Sequence, residues 1–131
     1  MALLKRKPDD TARKQHSEDR TRAERLPELI REVAAAEERL FEAQRSDAAI
    51  EELHRRGVAL DTALTEAMRA AYAHERVLIG PRGYTDRIHR RKRLATPEVR
   101  HATETAERLL TARENHRLHG VERLPRSPVA G

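Results

Sequence analysis

Leu29, Val33, Ala36, Leu40 and Ala43 recur at alternating spacings of four and three, and Ile50 rejoins the row beyond Asp47. That is a heptad-like stripe, the pattern of a helix that packs along another helix. Leu26, Ile30, Phe41 and Leu53 flank it. Pro27 suits a first helical turn, where its missing N–H is not needed. The stripe predicts a helix over 27–56, closed by His54, Arg55 and Arg56 in the last turn and by Gly57 just past it. The competing arrangement keeps Gly57 inside one long helix, at about 1 kcal/mol relative to Ala.

A second helix is predicted over 58–79, with Leu60, Leu64, Ala67, Met68, Ala71, Tyr72 and Leu78 on its apolar face and Gly80-Pro81 as its stop. A third spans 97–118. Thr96 is suited to its N-cap, Pro97 to its first position, and Glu98 to the positive end of its dipole. Val99, Ala102, Ala106, Leu109 and Leu110 form its stripe, and His119-Gly120 ends it. Residues 1–25 lack apolar periodicity and read as a flexible basic arm, with some helical character from Ser17 to Arg25. The tail, 120–131, carries two prolines and reads as extended or disordered. No β-alternation and no repeat of solenoid length is present. The fold class is therefore all-α: an elongated helical hairpin or small three-helix bundle over 26–119, with coiled-coil-like stripes, a connector at 80–96 and flexible termini.

Composition limits the core. Among 131 residues Leu, Ile, Val and Phe number 25, Ala numbers 20, and charged residues make up 37%. Such helices are soluble and each buries little apolar area, which favours stabilisation by a partner. The N-terminus has three apolar residues before Lys5, short of a signal peptide, and no stretch reaches the roughly 20 apolar residues of a membrane span. The expectation is a non-secreted protein, cytoplasmic or held within a macromolecular assembly, with no membrane partner. Absence of Cys excludes disulfides and thiolate metal sites.

Charge is segregated. Residues 1–25 carry +3, 26–66 carry −5 and 67–131 carry +7. A segment of one sign can dock on the other, within a chain or between copies, with a strength that salt reduces. The densest element is Arg82–Arg93, where Arg82, Arg87, Arg90, Arg91, Lys92 and Arg93 face the single acid Asp86. Helical from Thr85 to Leu94, it would present Arg87, Arg90, Arg91 and Lys92 on a broad face, with Ile88 and Leu94 as anchors. Arginines so arranged suit consecutive phosphates, without base selectivity. Tyr84 is the one aromatic beside them, fewer than a single-strand stacking platform uses.

Catalytic and metal chemistry find little purchase. Glu51/His54 and Glu98/His101 are Glu-x-x-His pairs of the kind that helical di-iron sites employ, but 16 Glu and 7 His make about this many by chance. His116 and His119 supply only half of a zinc site and suit a helix C-terminus. Gly80-Pro81-Arg82-Gly83 lacks the Lys and preceding strand of a phosphate loop, and no Ser stands in a nucleophile elbow. The reading is non-enzymatic and cofactor-free: a helical structural, assembly or adaptor protein within a larger complex, a virion component being one such setting. Its partners are other protein subunits, through a stripe of Leu29, Val33, Leu40, Ile50, Leu64, Met68 and Leu109. The alternative is a nucleic-acid-associated protein that contacts the phosphate backbone through 82–93.

Overall fold

The computed structural model describes residues 9–119, so the tail at 120–131 and the first eight residues of the arm lie outside the described residues. Those described form α1 (Asp10–Glu24), α2 (Leu26–Arg45), α3 (Ile50–Ile79), a 3-10 turn (Pro81–Tyr84), α4 (Arg87–Leu94) and α5 (Pro97–His119), with no strand among them. The described part of the chain is all-helical.

Three elements differ from the sequence expectation. Most of the segment expected to be a flexible arm is α1. Asp9 caps it, accepting from the Ala12 N–H at 2.7 Å, and Asp10 lies in its positive first turn. The helix buries only Ala12 and Asp19, so apolar periodicity gave it no signal.

The break expected at Gly57 lies instead at 46–49. There Asp47 adopts the left-handed conformation (φ 59°), Ala48 N–H donates to Ala43 O at 3.0 Å, and Asp47 N–H to Gln44 O at 3.3 Å. This pair of bonds is a Schellman closure, built around an Asp, whose short polar side chain tolerates that conformation. Gly57 runs through the interior of α3 and is buried. The third difference is in the connector 80–96, which holds a 3-10 turn at Pro81–Tyr84 ahead of α4, the latter falling within the Thr85–Leu94 helix weighed from the sequence. Gly80, at φ 99°, takes a backbone conformation that suits glycine, and the chain turns there into the 3-10 turn.

The chain divides into two compact units, and α3 and α5 contribute to both. One takes in α2, α3 up to Met68 and α5 from Arg108. Its core is the α2 stripe of Leu29, Val33, Ala36, Leu40 and Ala43 with Leu53, Leu60, Leu64 and Ala67 of α3. Polar ties fasten α5 to α3 here: Arg113 Nε donates to Thr65 Oγ1 at 2.7 Å, His116 Nε2 to Gly57 O at 2.8 Å, and Arg117 to both Asp61 oxygens at 2.7 and 3.2 Å. The Arg117 hydrogen bond outweighs partial burial and holds the Asp61 carboxyl below its ordinary pKa.

The other unit takes in α1, α3 from Arg69, the 3-10 turn, α4 and α5 to Glu107. Its buried apolar residues are mostly alanine: Ala12, Ala70, Ala71, Ala73, Ala102 and Ala106, with Ile79 and Val99. Small side chains let helices approach closely but bury little area per residue. Glu75, only 6% exposed, is satisfied by the Thr103 hydroxyl.

Candidate functional site

Of the seven residues expected to form an interaction stripe, Leu29, Val33, Leu40 and Leu64 are buried inside the chain, and Met68 and Leu109 are half-buried. Ile50 stands 62% exposed. The Schellman turn resets the helical phase between Ala43 and Ile50, so the row does not continue. Most of the expected docking stripe is internal core.

A second row lies beside it. Ile30, Ala34, Glu37 and Phe41, spaced four, three and four, line the neighbouring flank of α2, and all are exposed. Ile30 and Phe41 retain 41% and 50% of their accessible surface. Phe41 and Glu37 also wall a groove of about 480 Å³ whose other side is Asn115, His116 and His119 of α5. The sequence signal for this row, Ile30 and Phe41 flanking the heptad, was visible but masked by the stronger stripe.

The basic cluster separates into two sets. Asp86 caps α4 by accepting from the His89 N–H at 3.0 Å, and that bond, with the Arg82 charge, outweighs desolvation and lowers its pKa. One face of α4 then closes the C-terminus of α3: Arg93 Nη2 donates to Leu78 O at 2.8 Å, and His89 Nε2 to Ile79 O at 3.3 Å. These are carbonyls that a helix end leaves without intrahelical partners. Arg82 pairs with Asp86 at 3.2 Å. Arg87, Arg90, Arg91 and Lys92 remain exposed, and none of their side chains makes a hydrogen bond or ion pair among the described residues. Ile88, 70% exposed, stands among them and does not anchor the segment.

A third constellation was not legible in the sequence. Arg76 of α3 grips Asp19 of α1 with two bonds, Nε to Oδ2 at 2.8 Å and Nη2 to Oδ1 at 3.0 Å, and Tyr84 O–H donates to Oδ2. His16 meets the Tyr84 ring edge-on, with centroids 6.4 Å apart. Burial raises the Asp19 carboxyl, but the Arg76 and Tyr84 hydrogen bonds and the charges of Arg76 and Arg22 outweigh it, so its pKa is lowered. Burial first, then the bond to Asp19, pushes the Tyr84 phenol up. The arrangement is a latch between residues 57 and 65 positions apart.

Glu51, His54, Glu98 and His101 are all exposed, and no three His, Asp or Glu side chains gather as metal ligands among the described residues. No helix among those residues is long and apolar enough to cross a membrane. Comparison with known proteins finds no matching family model, curated protein or solved structure.

Proposed function

We propose that this chain is a non-enzymatic helical assembly or adaptor protein that works by binding other protein subunits in a larger complex. The observation that carries the reading is the row Ile30, Ala34 and Phe41, apolar and exposed directly beside a heptad stripe already satisfied inside the chain. Apolar side chains set at helix-packing spacing and left open to water favour another helix against them. Native mass measurement on the purified chain, and on complexes drawn from its source, tests this. Species heavier than the 15.0 kDa monomer that disappear on Phe41→Glu support it. A lone monomer in both preparations contradicts it.

A second reading rests on a different observation, the exposed Arg87, Arg90, Arg91 and Lys92 of α4, whose side chains make no hydrogen bond or ion pair among the described residues. Arg87, Arg90 and Arg91 share its outward side, an arrangement suited to a phosphate backbone. Substituting Gln at these three positions should lower the salt dependence of DNA and RNA binding by about one unit of logarithmic slope for each arginine that pairs with a phosphate. Unchanged affinity and slope would remove α4 from that role.

A further inference from the structure

We infer that the exposed row of α2 pairs with the same row of a second copy, antiparallel, with Ile30 of one α2 against Phe41 of the other and Ala34 against Glu37. This rests on the assembly reading above and names the partner and its register. Three features select the arrangement.

The first is the charge at the heart of the row. Parallel, in-register helices would set Glu37 against its own copy, a like-charge contact at the seam. The antiparallel pairing puts each Glu37 opposite the small Ala34, leaving the carboxylate room to reach water.

The second is the pair of flanks. One flank of the row is Val33 and Leu40, buried in the core of their own chain, while the other is Arg31, Glu38 and Arg45, all exposed. Parallel coiled coils pair opposite flanks across the seam, which the buried flank forbids here. Antiparallel helices bring like flanks together, so the charged flank meets its own copy.

The third is register. With Ile30 opposite Phe41, Arg31 of each helix falls beside Glu38 of the other, twice by symmetry. A slide of one heptad in one direction sets Arg31 against Arg31; in the other it sets Arg31 against Arg45 and Glu38 against Glu38. Charge complementarity therefore singles out one register. Arg31 forms no ion pair among the described residues. Glu38 accepts from Arg45 at 3.2 Å through Oε2, with its side chain still 70% exposed, which leaves Oε1 for a second cation. The contact is isologous and closes as a dimer.

The chain contains no cysteine, which makes disulfide trapping a clean test. Ile30→Cys and Phe41→Cys chains, one carrying a mass tag, are oxidised alone and mixed. The expected result is a covalent heterodimer from the mixture and little from either chain alone. Efficient cross-linking of either chain with itself overturns the pairing in favour of a parallel one. Dimers in sedimentation with no cross-link in any mixture overturn the register and leave the assembly reading standing, whereas a cysteine-free chain that stays monomeric overturns self-pairing, with hetero-assembly judged by the native complexes.

Charge exchange supplies an independent readout. Arg31→Glu or Glu38→Arg alone should weaken dimerisation by about 2- to 30-fold, the range for two exposed ion pairs. The double exchange should restore it. Residues 31 and 38 lie two turns apart on one helix, so failure of the double variant to recover overturns the intermolecular pair.

Discussion

Helix α1 is held on a polar latch, and Asp19→Ala should release it without unfolding the rest. Beyond the latch, α1 buries only Ala12, a few tens of Å² of apolar surface at roughly 25 cal/mol per Å². Asp19 accepts two bonds from Arg76 and one from Tyr84, and its side chain is 12% exposed. Hydrogen bonds to a charged group contribute about 1.5–3 kcal/mol each when enclosed. The Arg76 side chain is 40% exposed and regains water once freed, so the sum is well below that ceiling. We expect a loss of about 2 kcal/mol, or roughly 30-fold in the local opening equilibrium. Hydrogen exchange resolved by peptide is the assay, since local opening precedes global unfolding. Amides of 10–24 should exchange about 30-fold faster, with those of α2 and of α3 up to Met68 unchanged. Unaltered protection in α1, or an equal fall throughout the chain, would refute the latch.

Other expectations follow from the same geometry. Asp19 has a lowered carboxyl pKa in the folded state, so its contribution is complete above the ordinary carboxylate pKa and fades as pH falls through the folded value; α1 protection should drop on acidification in wild type and much less in Asp19→Asn. Gly83→Ala should destabilise by about 1–3 kcal/mol in urea titration, because an added Cβ overlaps the Ile79 Cγ2 methyl of a side chain buried in the core. Arg93→Ala should cost about 1–2 kcal/mol by removing the donor to Leu78 O, while Lys92→Ala, beside it and unpaired, should cost little.

Periodicity located what packs by apolar burial and missed what does not. Leu29, Val33, Ala36, Leu40 and Ala43 form the core face of α2, and Pro97 begins α5. The hydroxyl of Thr96, expected as an N-cap acceptor, instead donates to Arg93 O at 2.7 Å and closes the end of α4. The first half of α1 escaped notice, and its second half was read only as helical character over Ser17–Arg25, because Asp19, Arg76 and Tyr84 meet only through the tertiary fold, and a lone acid in a polar segment carries no local signature. Gly57 drew the break away from Asp47 because glycine is the commoner residue past a helix end. The candidate surfaces were half legible. The cationic cluster was evident from composition, but not that Arg93 and His89 are engaged on α3 while Arg87, Arg90, Arg91 and Lys92 stay free. Ile30 and Phe41 were visible as flanking residues; only burial of the adjacent stripe shows that they are what α2 leaves exposed.

Sedimentation velocity over a concentration series, on wild type and Phe41→Glu in parallel, decides whether α2 pairs with a second copy of the chain. Phe41 keeps half of its surface exposed and is not one of the buried core residues, so the substitution bears chiefly on what docks on α2, and helix content checks the groove that Phe41 shares with α5. Self-pairing through α2 requires a wild-type boundary that shifts from monomer to dimer with concentration, and a variant that stays monomeric with unchanged helix content. A wild-type chain that sediments as a monomer throughout, or a variant that associates as well as wild type, would contradict it.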